Sequence, residues 1–78
     1  MVAKAYVLIE TSVGKMEEVA EKLNRIEGVK EIDPVTGPYD LIAVVEAPDL
    51  DSLGSLIARK IHPIDGVLKT ITCLSIKF

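Results

Sequence analysis

The sequence predicts an α+β fold with the element order β-α-β-β-α-β, and three observations lead there. Two segments carry apolar residues at helical spacing, and four others are short runs rich in β-formers. Most glycines and prolines fall between these segments. Finally, Ile26-Glu27-Gly28-Val29 returns as Ile64-Asp65-Gly66-Val67, 38 positions on, and each copy follows a helical segment and leads into a strand.

Ala3 to Thr11 is rich in β-formers and alternates loosely, so it reads as a strand. Ser12-Val13-Gly14 breaks it. From Lys15 to Ile26, apolar Met16, Val19, Ala20, Leu23 and Ile26 recur at the spacing of one helical face, with Glu17, Glu18, Glu21 and Lys22 opposite. Gly28 is placed to stop that helix. Val29 to Val35 is a more polar strand, and Pro34 within it points to a sheet edge, because proline donates nothing to a ladder. A turn at Gly37-Pro38 leads to a strand from Leu41 to Ala47. Asp49 is a good N-cap for a second helix, whose apolar face uses Leu50, Leu53, Ile57 and Ile61. His62-Pro63 ends it, since the residue before a proline avoids the helical region. Asp65-Gly66 turns the chain into a last strand, Val67 to Phe78. Two βαβ halves joined by a tight link form the ferredoxin-like pattern. Right-handed crossovers put both helices on one face of a four-stranded antiparallel sheet.

Composition narrows the function. At 78 residues there is room for one domain, 1–78, and a domain this small is marginally stable alone. Its 49% hydrophobic content is high enough for it to fold. The single Cys73 cannot form an internal disulfide, which fits a reducing, cytoplasmic setting. With one Cys and one His, a structural zinc site is not expected. Nine basic residues against 12 acidic ones, scattered along the chain, leave no electrostatic footprint for nucleic acid. No stretch reaches transmembrane length, and the N-terminus lacks the marks of a signal peptide. The chain has no Gln and one Asn, a depletion that fits a thermophile.

Two strands break the expected alternation. Tyr6, Val7, Leu8 and Ile9 are all apolar, and so are Leu41 to Val45. A strand with one wet face should alternate. Two helices cover one face only, so the other stays apolar and calls for a partner. A second copy of the chain, packed sheet against sheet, is the expected one; a monomer whose outer face is merely apolar is the competing reading.

Catalytic signals are weak. The chain has no Gly-rich phosphate loop and no metalloprotease, dithiol or nucleophile-elbow motif. His62, at a helix end, is expected to be exposed or to cap. Cys73 in a strand is expected to act as a small buried hydrophobe. No cofactor and no metal are expected. Two constellations remain. In the turn Gly37-Pro38-Tyr39-Asp40, glycine and proline can present backbone N–H groups outward. Asp40 then either receives a cation such as an α-amino group or bonds its own turn, and the local sequence leaves both readings open. Thr70 and Thr72, two apart on a strand, place both hydroxyls on one side. Their choice by β-propensity alone is the competing reading.

Taken together, these residues resemble a known family. Val35-Thr36-Gly37-Pro38-Tyr39-Asp40-Leu41 is similar to the signature V-[TS]-G-x-[YW]-D-[LY] of the Lrp/AsnC regulators, in their C-terminal effector-binding (RAM) domain. Gly66-Val67, followed by Thr70 and Thr72, resembles that domain's closing G-V-x-x-[TS]-x-T. The resemblance spans essentially the whole chain. Full-length members carry an N-terminal helix-turn-helix domain, whereas here the sequence starts at the first strand, so a stand-alone RAM domain without DNA binding is expected. The resemblance implies a βαββαβ sandwich that pairs by its sheets, in the manner of a dimeric α/β barrel. It implies further assembly into octamers or other rings. It also implies an amino-acid effector bound between dimers by Gly37, Pro38, Tyr39, Asp40, Thr70 and Thr72. A full-length Lrp/AsnC regulator is a further expected partner. Pro38 departs from the acidic or polar residue common after the glycine, and it removes one N–H donor. The competing readings are a purely structural assembly domain and a small dimeric-barrel enzyme such as a monooxygenase. The ACT-type amino-acid sensor shares the element order, but its glycine-rich first loop is represented here by Gly14 alone.

Overall fold

In a computed structural model that describes residues 2–76, the order is β1 (Ala3–Thr11), α1 (Met16–Asn24), β2 (Val29–Pro34), β3 (Leu41–Ala47), α2 (Leu50–Leu56) and β4 (Val67–Leu74). The strands form one antiparallel sheet in the order β2-β3-β1-β4. This is the ferredoxin-like βαββαβ architecture. The first and third strands have the expected bounds, and Pro34 does lie on an edge strand. The last strand stops at Leu74, and the end of its expected span, 77–78, lies outside the described residues.

The core is a single layer between helices and sheet. Val19 and Leu23 of α1, together with Leu53, Ile57 and Ile61, meet Ala5, Val7, Ile9, Leu41, Ala43 and Val45. Leu50 departs from the expected apolar face and is exposed, as the first residue after the helix cap. Past Leu56 the helix widens: His62 N donates to Ile57 O at 2.9 Å, an i→i+5 bond, over the turn Ile57–Ile61.

The two copies of the repeat are the same turn. Val29 N donates to Ile26 O at 3.2 Å, and Val67 N to Ile64 O at 3.1 Å. The glycines have φ of +104° at Gly28 and +101° at Gly66, a region other residues avoid. Each turn ends a helical segment and starts an edge strand, which is why the short sequence pattern appears twice.

Asp49 caps α2 as expected: its Oδ1 accepts from Ser52 N at 2.7 Å. That bond, with the Ser52 side chain, holds the Asp49 carboxyl below the ordinary aspartate pKa. A lowered folded-state pKa stabilises above the unfolded value, and the contribution is lost as pH falls through the folded value. Asp49→Ala should therefore lower the melting temperature at neutral pH by more than it does in acid. Melting curves across the acid range check this, and an offset independent of pH would contradict it.

Candidate functional site

The turn after β2 is built by two backbone contacts and a side-chain clamp. Val35 N donates to Asp40 O at 3.0 Å and closes the loop, in which Gly37 has φ +143°. Asp40 N donates to Ile9 O at 2.9 Å and binds the loop to the end of β1. The Asp40 side chain then reaches further. Its Oδ2 accepts from Thr11 N at 2.8 Å and from Thr11 Oγ1 at 3.1 Å. Thr11 sits at an irregularity in the β1–β4 register and is a buried polar residue, so Asp40 satisfies a backbone donor and a hydroxyl there. The carboxylate thus clamps a neighbouring strand, an arrangement that neither local reading of Asp40 contained. Both bonds end on Oδ2, which among the described residues leaves Oδ1 for an outside donor. Gly37 and Pro38 are exposed, and Tyr39 is half-buried.

The threonine pair lies across β1 from this turn. Register places Thr70 opposite Ile9, which on its other side faces Leu41; Thr72 is opposite Val7. Both hydroxyls are therefore on the helix side of the sheet, on the edge strand. Thr70 and Asp40 flank the end of β1, and Thr72 sits one row further along. Thr70 Oγ1 is 3.0 Å from His62 Nε2. His62 is exposed, as expected, but its bond to Thr70 had no signal in the sequence, because it spans the turn between α2 and β4. A cavity of about 180 Å³ is lined by His62, Val67, Leu68, Lys69 and Thr70. It reaches neither Thr72 nor the Gly37–Asp40 turn. A single chain therefore brings the two constellations to one end of the sheet without enclosing them together.

The face away from the helices is apolar in rows. One row runs Asp33, Ile42, Leu8, Ile71 across the four strands; the next runs Glu31, Val44, Tyr6, Cys73. Tyr6 is 38% exposed and Ile71 40%. Cys73 is exposed on this face, so the expectation that it would be buried fails: β4 is an edge strand and the helices lie on the other side. Acidic side chains end both rows at β2. Among the described residues, no group of three or more His, Cys, Asp or Glu is placed to hold a metal ion, and no helix is long and apolar enough to cross a membrane.

Comparison with known proteins supplies the family context. The family model described as the Lrp/AsnC ligand binding domain matches residues 4–78. The HTH-type transcriptional regulator LrpA of Pyrococcus abyssi is 41% identical over 61 residues, 78% of this chain and 43% of that regulator. A homocitrate synthase of Sulfurisphaera tokodaii is 39% identical over 59 residues, 76% of this chain but 13% of the enzyme. The chain thus spans less than half the length of the curated relatives it matches. Among solved structures, FFRP-DM1 superposes with a TM-score of 0.92 and 39% identity, covering 95% of this chain and 99% of that one. A transcriptional regulator of Neisseria meningitidis, solved in complex with L-Met, shares the fold at a TM-score of 0.87 and 16% identity, over 96% of this chain and 50% of that one.

Proposed function

This chain belongs to the Lrp/AsnC ligand-binding domain family, and from that premise we propose that it is an amino-acid-sensing and assembly module. Two copies pair through the open sheet face, and dimers associate further into a ring. A small amino acid binds where dimers meet, against the Gly37–Asp40 turn and the Thr70 and Thr72 hydroxyls. The observation that carries the reading is the uncovered apolar face, with Tyr6, Leu8, Ile42 and Ile71 on one side of a sheet whose other side is the core. An apolar patch of this kind marks an interaction surface.

The effector chemistry follows from the turn. A zwitterion needs donors for its carboxylate and an acceptor for its ammonium. Asp40 Oδ1 is the acceptor, while Oδ2 stays on Thr11. Backbone N–H groups of the turn and the threonine hydroxyls are the donors. The L-Met complex of the Neisseria regulator supports an amino acid as the ligand class. The module resembles part of a DNA-binding regulator and part of an enzyme, so the match itself transfers neither activity. A helix-turn-helix regulator of the same family, sharing the assembly surface, is the natural partner.

Native mass spectrometry with each common amino acid in turn tests the reading. The expected result is an assembly larger than a dimer that gains amino-acid mass or changes size. An assembly that takes up no amino acid would leave a structural role only. Asp40→Asn sharpens the test, because it keeps an acceptor for Thr11 and removes the charge. It should stay folded and bind the effector about tenfold more weakly, the loss of one charged hydrogen bond. Unchanged affinity would remove Asp40 from the site.

A further inference from the structure

Beside the end of α1, against one side of α2, lies a cavity of about 710 Å³ that plays no part in the amino-acid reading. Its size is that of a small-ligand site. The polar side chains in its wall are nearly all donors: Arg25 beyond α1, Ser52 and Ser55 on α2, and Arg59 and Lys60 on the wide turn. Ile26 and Leu56 supply apolar surface, and Glu27 is the one carboxylate.

The charge there runs against that of the molecule. The chain carries a net charge of −3, yet three of its nine basic residues line one concavity. Arg25 has an exposed partner in Glu21 at 3.9 Å, a pairing of little weight. Among the described residues, Arg59 and Lys60 have no carboxylate within 4.0 Å. Backbone geometry adds an independent observation. An i→i+5 turn holds more residues per revolution than an α-helix, so the neighbours Arg59 and Lys60 diverge less in direction, and both line the cavity. Such turns are rare and recur at functional sites. The N-terminus of α2 is already taken by Asp49, so the side chains, not the helix end, are what an anion meets.

We propose that this cavity binds a small phosphate monoester. Arg25, Arg59 and Lys60 hold the phosphate, and its organic group lies against Ile26 and Leu56. Guanidinium forks match phosphate oxygens in geometry and charge. Ser52 and Ser55 add neutral donors, and Glu27 offers an acceptor to a hydroxyl on the organic part.

Nitrogen-15 NMR titration of the chain with phenyl phosphate, and separately with inorganic phosphate, tests the site at an ionic strength held constant with sodium chloride. The expected result is saturating shifts confined to 25–27 and 52–60, with phenyl phosphate the tighter probe. Arg59→Gln and Lys60→Gln should each weaken binding by about tenfold, the loss of one charged hydrogen bond. Both side chains are exposed, so the variants should keep the native spectrum. Shifts that do not saturate, that spread over the surface, or that survive both substitutions would overturn the site. Equal affinity for the two probes would overturn the ester assignment. Asp40 and Thr70 lie outside the measured region, so the amino-acid reading is tested separately.

Discussion

Leu8→Glu should leave the chain folded but monomeric. Leu8 stands in the middle of the open face, between Ile42 on β3 and Ile71 on β4, with its side chain on the side away from the helices. The core residues Val7 and Ile9 flank it in sequence and point the other way, so the substitution leaves the helix–sheet packing intact. In a sheet-to-sheet dimer the new carboxylate would be buried without a partner, which costs about 3–5 kcal/mol. That weakens the dimer by roughly three orders of magnitude. Asp33, at the end of the same row, adds repulsion. Sedimentation velocity on both proteins, with circular dichroism as the check on folding, measures the effect. A folded variant that assembles like the parent would place the interface elsewhere. A parent chain that is itself monomeric would remove the assembly reading.

Gly28→Ala should be the most damaging small substitution. A Cβ at Gly28 would lie 2.6 Å from Leu56 Cδ1 and 2.9 Å from the Glu46 carbonyl oxygen. The leucine end can shift, but the carbonyl cannot, because Glu46 N is itself bonded to Gly28 O at 2.8 Å. The residue also has φ +104°, where an L side chain costs about 1–2 kcal/mol. Overpacking adds about 1–3 kcal/mol. The sum, about 3 kcal/mol, is a large part of the stability of a small domain. It corresponds to a fall of about 12–24 °C in melting temperature. Thermal denaturation checks it, and a loss under about 1 kcal/mol would mean that the β2–β3 ladder yields there. Gly66 has the same φ but would meet mainly Lys15 Cβ and Val19 Cγ2, so its damage would fall on α1 instead.

The legibility of the chain differs by feature. β1 and β3 were readable to the residue because each is a short segment rich in β-formers, β1 ended by Ser12-Val13-Gly14 and β3 bounded by the turn at Gly37-Pro38 and by Pro48. α1 and α2 were readable from their periodicity, although Leu50 matched the period and still faces solvent, because the first turn of a helix need not lie over the sheet. The failure of alternation in two strands was enough to infer a second apolar face. The register then arranged that face into two rows ended by Asp33 and Glu31. The candidate turn was readable as a motif, but what Asp40 touches was not. Its partner Thr11 is 29 positions away, and a local pattern carries no information about which strand end will lie beside it. The bond between His62 and Thr70, and the gathering of Arg25, Arg59 and Lys60, escaped for the same reason.

By itself, the sequence determined the element order, the edge position of β2, the cap at Asp49 and the family. Each depends on residues close together in the chain, through periodicity, glycine and proline conformation, or short-range hydrogen bonds. The tertiary structure alone decided which groups meet: Asp40 with Thr11, His62 with Thr70, and the three cations around one cavity. It also decided that Cys73 is exposed. The physical reason is that contacts between distant segments are set by how strands pair and helices pack, and small changes in register or helix pitch redirect every side chain that follows.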